Sequence, residues 1–319
     1  MENRTITNQE VSRDRLIEAL RRHMGKDLLA HLENPQVVEI MLNNDGKLWI
    51  ELMGEGMRHV GEIGEIRAVS IVNAVAALLG LVVTKESAIL ECELPLDGSR
   101  FQAFAPPLVK QPIFAIRKKA LLIFTLDDYV SKGIINPGQK QMIEQAVRNR
   151  ENILVAGGTG TGKTTLANAI LHSISELDPE HRIVVIEDTQ ELQCNVQNTV
   201  FLQTSKFEDM TSILRGTMRI RPDRIVVGEV RDGSALALLK SWNTGHPGGV
   251  GTVHANSAQA ALVRVGQLIQ EAGVPPNPEL IAEAVNVVVS IKRTATGRIV
   301  DEIVRVKGYE GGKFIIETE

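Results

Sequence analysis

The first third of the chain carries short hydrophobic runs with two different periodicities, one helical and one strand-like. Four segments show them: a helical period over 14–20, strand-like runs over 37–42 and 47–52, and an alanine-rich helical stretch over 65–79. The turn-forming residues Asn43-Asn44-Asp45-Gly46 separate the two strand-like runs and predict a β-hairpin. A second hairpin is predicted around Asp97-Gly98. Together these elements predict a small α+β domain over residues 1–120.

The pattern changes after a junction at residues 121–138, which carries charge and ends in the turn cluster Asn136-Pro137-Gly138. Short β-branched runs then alternate with helical segments, at residues 152–156, 183–186, 199–202 and 225–227. Strands separated by helices require right-handed crossovers, so we expect a mainly parallel sheet. The segments 299–306 and 313–316 predict a terminal hairpin. The sequence therefore predicts an α/β domain over residues 139–319.

The composition is that of an ordinary globular protein, since 43% of the 319 residues are hydrophobic and 23% are charged. The formal net charge of -4 argues against broad, nonspecific binding of nucleic acid, which needs a basic face. Cys92 and Cys194 stand far apart in no metal-ligand spacing, which favours two reduced thiols. No apolar run in the sequence approaches the roughly 20 residues that span a bilayer. We therefore expect a cytoplasmic protein that meets a membrane only through partners.

One segment has a spacing that indicates its chemistry. It follows the apolar run 152–156 and consists of Gly157-Gly158-Thr159-Gly160-Thr161-Gly162-Lys163-Thr164, followed by Thr165. The glycines let the backbone turn tightly, so that successive N–H groups point inward at phosphate oxygens. The helix that starts near Lys163 adds its positive end, and the Lys163 ammonium reaches the outer phosphates. Because the Thr164 hydroxyl is placed to ligate Mg²⁺, the loop predicts a site for ATP with Mg²⁺.

Hydrolysis also needs a carboxylate near the attacking water, and two strand ends offer one. The run 182–186 ends in Glu187-Asp188, and the run 224–228 ends in Glu229. Ligands of open α/β sheets bind beyond the carboxyl ends of the strands, where both groups of acids are expected. Glu229 follows its β run where a Walker B acid belongs. The alternative for Asp188 is that it caps the next helix.

Two histidines, His246 and His254, flank a glycine-dense segment that leads into the helix cap Asn256-Ser257. This arrangement predicts a loop that senses the phosphates of a bound nucleotide. A histidine metal pair is disfavoured, because no third ligand stands nearby in the sequence.

Four motifs in this order resemble those of the secretion-traffic ATPases, which include the motors of type II secretion, type IV pili and type IV secretion. They are the phosphate loop, an Asp box at 186–192, a Walker B region at 214–231 and a His box at 245–257. The segments 94–100 and 114–118 are similar to the conjugation and type IV secretion branch, with conjugal-transfer ATPases as the nearest likeness. Type II secretion ATPases usually carry a tetracysteine zinc element, which two scattered cysteines cannot build.

This resemblance implies a RecA-like P-loop ATPase domain with a mainly parallel sheet, preceded by a smaller α+β N-terminal domain. It implies that Glu229 orients or activates water and that Glu187 supports Mg²⁺ through a water. At this point either glutamate fits either role, water activation or support of Mg²⁺. It also implies that His254 senses the γ-phosphate. The usual Walker B aspartate position holds Gly228 instead, so Mg²⁺ relies on Thr164, the phosphates and water.

Arg100 and Arg117 match the positions from which the N-terminal domain of this branch brings arginines to the nucleotide. The plainer alternative is a pair of exposed strand arginines. The resemblance further implies a homohexamer that docks on inner-membrane subunits of a conjugation or secretion apparatus, peripheral at the cytoplasmic face. No dedicated nucleic-acid-binding surface is evident in the sequence.

Three other functions share the same phosphate loop. A pilus-retraction motor has the same size and motifs. A nucleotide-gated assembly switch with little turnover differs only in whether Glu229, His254 and the arginines converge on the γ-phosphate. A RecA-like DNA-processing ATPase is disfavoured by the acidic balance and by an aromatic content of only 3%, because single-strand binding uses aromatic stacking.

Overall fold

The structure is a computed structural model that describes residues 8–53, 55–118, 123–205, 207–295 and 297–318. Contacts along the chain divide it into two compact units, residues 1–122 and 123–319. Each unit buries its own apolar side chains. Within the described ranges, no helix combines the length and the apolar character needed to cross a membrane.

The helices of the described residues are Asn8–Glu33 (α1), Glu65–Leu78 (α2), Leu126–Ser131 (α3), Pro137–Arg148 (α4), Lys163–Leu177 (α5), Met210–Thr217 (α6), Ser234–Asn243 (α7), Ala258–Glu271 (α8) and Pro278–Ala284 (α9). The strands of the first unit are Val37–Leu42 (β1), Lys47–Leu52 (β2), Gly56–Glu62 (β3), Ile89–Glu93 (β4), Arg100–Phe104 (β5) and Ile113–Arg117 (β6). Those of the second are Ile153–Gly157 (β7), Ile183–Glu187 (β8), Thr199–Gln203 (β9), Arg224–Val230 (β10), Val250–His254 (β11), Val287–Thr294 (β12), Gly297–Glu310 (β13) and Lys313–Thr318 (β14).

The first unit is built on a six-stranded sheet with the order β3-β2-β1-β6-β5-β4, in which every pairing is antiparallel. Residues of β5 and β6 alternate between buried and more exposed positions, so one face of the sheet is apolar. α1 and α2 pack on that face, where Leu28 and Ile71 join Phe101 in one core. The predicted α+β character of this region is confirmed. The edge strand β3 was not predicted, because its side chains are mostly exposed and show no apolar alternation.

The second unit is built on an eight-stranded sheet with the order β14-β13-β12-β7-β11-β10-β8-β9. The strands from β12 to β9 in this order pair in parallel, and β13 and β14 add an antiparallel edge. Alternate residues of β7 face opposite sides, with Leu154 in one buried cluster and Val155 in the other. Helices α6 to α9 cover the first face, and α3 to α5 cover the second. The predicted mainly parallel α/β fold is therefore confirmed, as is the terminal hairpin.

Parallel pairing brings the carboxyl ends of six strands, β7 to β12, to one edge of this sheet. Gly157 ends β7 opposite His254 at the end of β11, and Ile186 pairs with Val227 near the ends of β8 and β10. The phosphate loop follows β7 and most of the Asp box follows β8, whereas Glu229 of the Walker B region and His254 of the His box lie at the carboxyl ends of β10 and β11 themselves. Because β12 also runs parallel to β7, the turn after β12 lies at the same edge.

The strand β11 was predicted as a glycine-rich loop, and the structure explains why its sequence hides it. A Cβ at Gly249 would lie 2.0 Å from Nε1 of Trp242, and one at Gly251 would lie 3.3 Å from the same ring. The buried indole of Trp242 in α7 packs against this strand, and its Nε1 donates to the carbonyl of Ile225. The glycines thus make room for a tryptophan rather than for a turn.

Residues 123–138, which the sequence suggested as part of a linker, pack with the second unit. Leu126 and Tyr129 of α3 are buried in the same cluster as Ile170 of α5. The turn cluster does start α4, since the side chain of Asn136 accepts a hydrogen bond from the backbone of Gln139. The limits of the functional domains at residues 120 and 139 stay a prediction.

A buried arginine joins four segments at the edge of the sheet opposite the strand carboxyl ends. Arg224, at the start of β10, is 0% exposed. Its guanidinium donates to the carbonyls of Val147 and Gly248 and forms an ion pair with Asp178. Its Nε donates to Nδ1 of His181 at 3.0 Å. A buried charge is tolerable only with such complete pairing, so this cluster holds the ends of α4 and α5 on β10.

We expect the pH dependence of stability to reveal this cluster through His181. Burial and the nearby Arg224 charge lower the pKa of His181 below its ordinary value. The folded chain therefore resists protonation more than the unfolded chain does. The free energy of unfolding should fall as the pH drops below about 6.5, the ordinary histidine pKa.

Urea unfolding at pH 7.5 and pH 5.5 measures this loss. His181→Asn keeps an oxygen that accepts from Arg224 without titrating, so this variant should lose less stability between the two pH values. An equal loss in both proteins would contradict the assignment to His181.

Candidate functional site

The phosphate loop connects β7 to α5, and its backbone fixes where N–H groups point. Gly162 is the N-cap of α5 and has a left-handed backbone, with φ at 96°. A side chain at that φ is strained, which is why glycine stands there. At Gly157, a Cβ would lie 2.5 Å from Oγ1 of Thr161 and 2.6 Å from the carbonyl oxygen of Ile291 in β12. The loop is thus packed tightly between its own threonine and the neighbouring strand.

Lys163, the first residue of α5, lies inside the loop and is only 8% exposed. Its ammonium donates to the carbonyl of Gly158 at 3.1 Å. The same nitrogen lies 3.3 Å from Nδ1 of His254 at the end of β11. The His box and the phosphate loop, which are 91 residues apart in the chain, therefore meet at one point.

Glu229 stands between two basic groups at the end of β10. Its Oε1 lies 2.6 Å from Nε2 of His254, and its Oε2 accepts from Nε of Arg231 at 2.5 Å. Arg231 also lies 3.6 Å from Oδ2 of Asp188. The side chain of Glu229 is 15% exposed and its Oε1 is buried, so the two neighbouring basic groups fix the direction of the carboxylate. The hydroxyl of Thr252 donates to the carbonyl of Gly228 at 2.7 Å and fixes the backbone that carries Glu229.

Glu187 takes the space next to Gly228. The carboxylate of Glu187 is 4% exposed, and its Oε1 accepts from the backbone N–H groups of Glu191 and Leu192 at 3.1 and 3.0 Å. A Cβ at Gly228 would lie 2.7 Å from Cγ of Glu187 and 2.9 Å from its Oε1. The side chain of Glu187 therefore leaves no room for a Cβ at residue 228, the usual position of the Walker B aspartate.

Glu191 is the acid that lies beside Thr164, the residue that the sequence predicts to ligate Mg²⁺. Oγ1 of Thr164 donates to Oε2 of Glu191 at 3.3 Å. Asn168 of α5, which is 1% exposed, holds this segment from the other side. Its amide donates to the carbonyl of Glu191 and its Oδ1 accepts from the N–H of Gln193. Sequence analysis gave neither residue a role. The signal for Asn168 was a lone amide on the apolar face of a helix.

These residues fit the Mg²⁺ that the loop implies. A hard cation such as Mg²⁺ prefers oxygen ligands and keeps several waters, so one hydroxyl and a nearby carboxylate suffice when phosphates supply the rest. Thr164 offers the hydroxyl, and Glu191 offers the carboxylate. Among the described residues, no group of three or more histidine, cysteine or acidic side chains could hold a metal by itself. The donor set therefore fits a magnesium ion that arrives with the nucleotide.

The two histidines lie at opposite ends of the same strand. His254 ends β11 at the phosphate loop, whereas His246 precedes the start of that strand. Nδ1 of His246 lies 3.3 Å from the carbonyl of Ser241, at the end of α7. The prediction of a phosphate sensor is therefore wrong for His246, and for His254 it stays a prediction.

Arg100 and Arg117 lie side by side in the first unit. They face each other across β5 and β6, so both side chains stand on the same face of the sheet, opposite α1 and α2. Glu93 pairs with Arg100 across β4 and β5, and Glu39 pairs with Arg117 across β1 and β6. Arg100 also donates to Glu91 at 2.8 Å. The result is a row of charges on one sheet face, and a role of the two arginines at the nucleotide stays a prediction.

Comparison with known proteins identifies the family. The family profile described as "Type II/IV secretion system protein" matches residues 23–303, most of the chain. The matched stretch contains the phosphate loop, the Asp box, Glu229 and His254. This chain belongs to the type II/IV secretion system protein family.

Relatives within the secretion family match the chain over its length. It is 48% identical to "Probable conjugal transfer protein TrbB" of Sinorhizobium fredii, covering 97% of this chain and 95% of that protein. It is 46% identical to "Conjugal transfer protein TrbB" of Rhizobium radiobacter, with 96% and 95% covered. The "Type IV secretion system protein VirB11" of Bartonella quintana is 31% identical, with 76% and 79% covered. The resemblance drawn from the four motifs is thus confirmed.

Solved structures of secretion ATPases share the fold. The ATPase DotB of Yersinia pseudotuberculosis aligns with a TM-score of 0.63 at 17% identity, covering 96% of this chain and 81% of that one. The pilus retraction motor PilT with bound ADP aligns with a TM-score of 0.59 at 19% identity, covering 92% and 81%. At such identities the likeness concerns the fold alone.

Substitution of Gly228 tests the packing against Glu187. Gly228→Ala should lower the free energy of unfolding by about 1–3 kcal/mol, the usual effect of overpacking a tight site. Urea unfolding measures the change. Gly216→Ala in α6 is the matched control, because no atom lies within 4 Å of its added methyl. Alanine there should raise stability by up to about 1 kcal/mol. Equal effects of the two substitutions would contradict the steric role of Gly228.

Proposed function

We propose that this chain is an ATPase that powers conjugative transfer or type IV secretion. The observation that supports the proposal best is the meeting of Lys163, His254 and Glu229 at one edge of the parallel sheet. A phosphate loop by itself indicates only nucleotide binding. A fixed carboxylate and a histidine beside the lysine provide the groups that hydrolysis needs.

Binding of ATP rests on residues 157–165 and on Mg²⁺. The N–H groups of the loop and the positive end of α5 face the phosphates, and Lys163 neutralises charge on the outer ones. Thr164 would ligate Mg²⁺, and Glu191 would hold a water of the metal shell. Mg²⁺, when bound, would supply positive charge that offsets the negative charge of the phosphates. Glu187 would support the Mg²⁺ shell through a water, and its Oε1 also holds the backbone of the segment that carries Glu191.

Hydrolysis rests on Glu229, which orients or activates the attacking water. Arg231 and His254 contact one oxygen of its carboxylate each, which fixes the direction of the carboxylate toward the loop. His254 would sense the γ-phosphate, and its contacts with both Glu229 and Lys163 support this role. Preorganised charges of this kind supply most of the rate enhancement in phosphoryl transfer.

Arg100 and Arg117 would complete the site by neutralising charge that develops on the nucleotide. Their side-by-side placement, with acids beyond each, holds both side chains on one sheet face. We further propose a homohexamer that docks on inner-membrane subunits of the secretion apparatus, at the cytoplasmic face. The names of the TrbB and VirB11 relatives support the conjugation and secretion assignment over pilus retraction.

The function is tested by separating nucleotide binding from turnover. Glu229→Gln should bind ATP with nearly the affinity of the unaltered chain and lose about 100-fold or more in kcat, because the amide cannot take a proton from water. Lys163→Ala should weaken both binding and turnover. Phosphate release and calorimetric titration measure the two quantities.

Assays at several protein concentrations add the test of assembly, since a site completed by a neighbouring subunit gives a rate per subunit that rises with concentration. Unchanged turnover in Glu229→Gln, together with its loss in Glu187→Gln, would assign water activation to Glu187. No turnover in the unaltered chain at any concentration would favour the nucleotide-gated switch.

The role of Glu191 is tested through the Mg²⁺ requirement. Glu191→Gln removes the charge beside Thr164, so the Mg²⁺ concentration that gives half-maximal activity should rise several-fold while activity recovers at high Mg²⁺. Glu180→Gln is the matched control, because Glu180 is an exposed acid just before β8, at the opposite edge of the sheet. An unchanged Mg²⁺ requirement in Glu191→Gln would place the metal elsewhere.

A further inference from the structure

The antiparallel hairpin of β12 and β13 brings an arginine to the phosphate loop. β12 runs parallel to β7 beside it, so the turn that follows β12 lies at the edge where β7 enters the loop. β13 begins at that turn, and Arg298 is its second residue. The terminal hairpin predicted from the sequence begins one residue later, at 299, and Arg298 was assigned no role.

Arg298 lies against the first turn of α5. A Cβ built on Gly162, the N-cap residue, would lie 3.3 Å from Cδ of Arg298, 3.4 Å from its Nη1 and 3.6 Å from its Cζ. The side chain is partly buried, so its guanidinium rests on the loop rather than extending into solvent. A glycine at 162 is thus needed for the left-handed backbone and also leaves the space that the arginine occupies.

This position is electrostatically unfavourable for a cation. The N-terminus of a helix carries a partial positive charge, which repels arginine and lysine and attracts anions. Lys163 adds a full positive charge at the same helix end. Within the described part of the chain, the guanidinium of Arg298 has neither a hydrogen-bond partner nor an ion-pair partner. The arrangement becomes favourable when an anion lies between the arginine and the loop.

The order of the strands indicates which part of a nucleotide that anion is. In the sheet, β7 lies between β11 on one side and β12 on the other. Glu229 and His254 stand on the β11 side. In the proposed function they mark the γ-phosphate end of the site. Arg298 stands on the β12 side. An arginine there faces the part of a bound nucleotide that remains after the γ-phosphate has left.

We propose that Arg298 binds the α- and β-phosphates of the nucleotide, as a second cationic arm of the phosphate loop opposite Glu229. The inference rests on the proposed function, because it needs a nucleotide in the loop. The planar guanidinium suits this task, since it donates to two phosphate oxygens at once. Its contribution is equal for ATP and ADP, so it acts on affinity rather than on the chemical step.

The hairpin itself supplies a matched control. Arg298 pairs with Arg293 across the hairpin, and Ile291 of the same strand faces the cluster that contains α5. Lys292 lies between Ile291 and Arg293 in β12, so its side chain points to the opposite face of the sheet. It forms an ion pair with Asp301 at 2.5 Å. Lys292→Ala thus removes one positive charge from the same hairpin without approaching the loop.

The experiment is a calorimetric titration of the full chain with ADP and with a nonhydrolysable ATP analogue. Arg298→Ala should raise Kd for both ligands by a similar factor, roughly 10- to 100-fold, the usual loss for a charged hydrogen-bonding group. Arg298→Lys should lose less than alanine does, because it keeps the charge but not the fork. Lys292→Ala should leave both values of Kd unchanged. At saturating ATP, kcat of Arg298→Ala should equal that of the unaltered chain.

The thermal stability of the nucleotide-free protein distinguishes an arginine that binds nucleotide from one that only packs. Since Arg298 is repelled by the helix end, thermal unfolding of nucleotide-free Arg298→Ala should occur at the same temperature as the unaltered chain or higher. Its Tm should rise less than that of the unaltered chain when ADP is added, because the stabilisation follows the affinity.

Three outcomes would overturn the inference. An unchanged Kd for ADP in Arg298→Ala would mean that the arginine does not touch the nucleotide. A loss confined to the ATP analogue, with a lower kcat, would place the arginine at the γ-phosphate instead. A lower Tm without nucleotide and unchanged affinity would make it a packing residue. If the unaltered chain binds neither ligand, the proposed function itself fails, and that result is distinct from a failure of Arg298 alone.

Discussion

The site depends on the parallel alignment of β7, β8, β10, β11 and β12. In a parallel sheet every strand ends at the same edge, so segments that are far apart in the chain deliver their next residues to one place. The glycine loop, the Glu187 segment, Glu229 and His254 meet in this way. The same alignment concentrates positive charge there, since the N-terminal end of α5 and the Lys163 ammonium both lie at that edge. Acids at the neighbouring strand ends partly balance this charge, and a bound phosphate would balance the rest.

The parts of this arrangement that the sequence predicted are those with a local signal. The loop at 157–165 has a fixed spacing, and buried β runs such as 183–186 are apolar throughout, so both were recognised without any tertiary information. The acids after β8 and β10 followed from the rule that parallel strands end together. The hairpin strands of the first unit were recognised because apolar and polar positions alternate around clear turn residues.

What the sequence did not reveal depends on partners that are distant in the chain. The glycines of β11 looked like a loop because Trp242, which requires them, comes from another helix. The roles of Glu191 and Asn168 follow from hydrogen bonds between α5 and the Asp box. The position of Arg298 at Gly162 arises only when β13 folds back beside β12, the strand next to β7. In each case the spacing of residues along the chain does not indicate which residues are in contact.

The contact between Glu187 and Gly228 has a consequence for how this site can diversify. The space that a Walker B aspartate fills in other P-loop proteins is taken here by a carboxylate from the next strand. A chain that regained an aspartate at 228 would have to carry a much shorter residue at 187, and would then lose the acceptor that holds the 191–192 backbone. Positions 187 and 228 are therefore expected to covary among homologues. A sequence with glutamate at 187 and aspartate at 228 is not expected, because both side chains would occupy the same space.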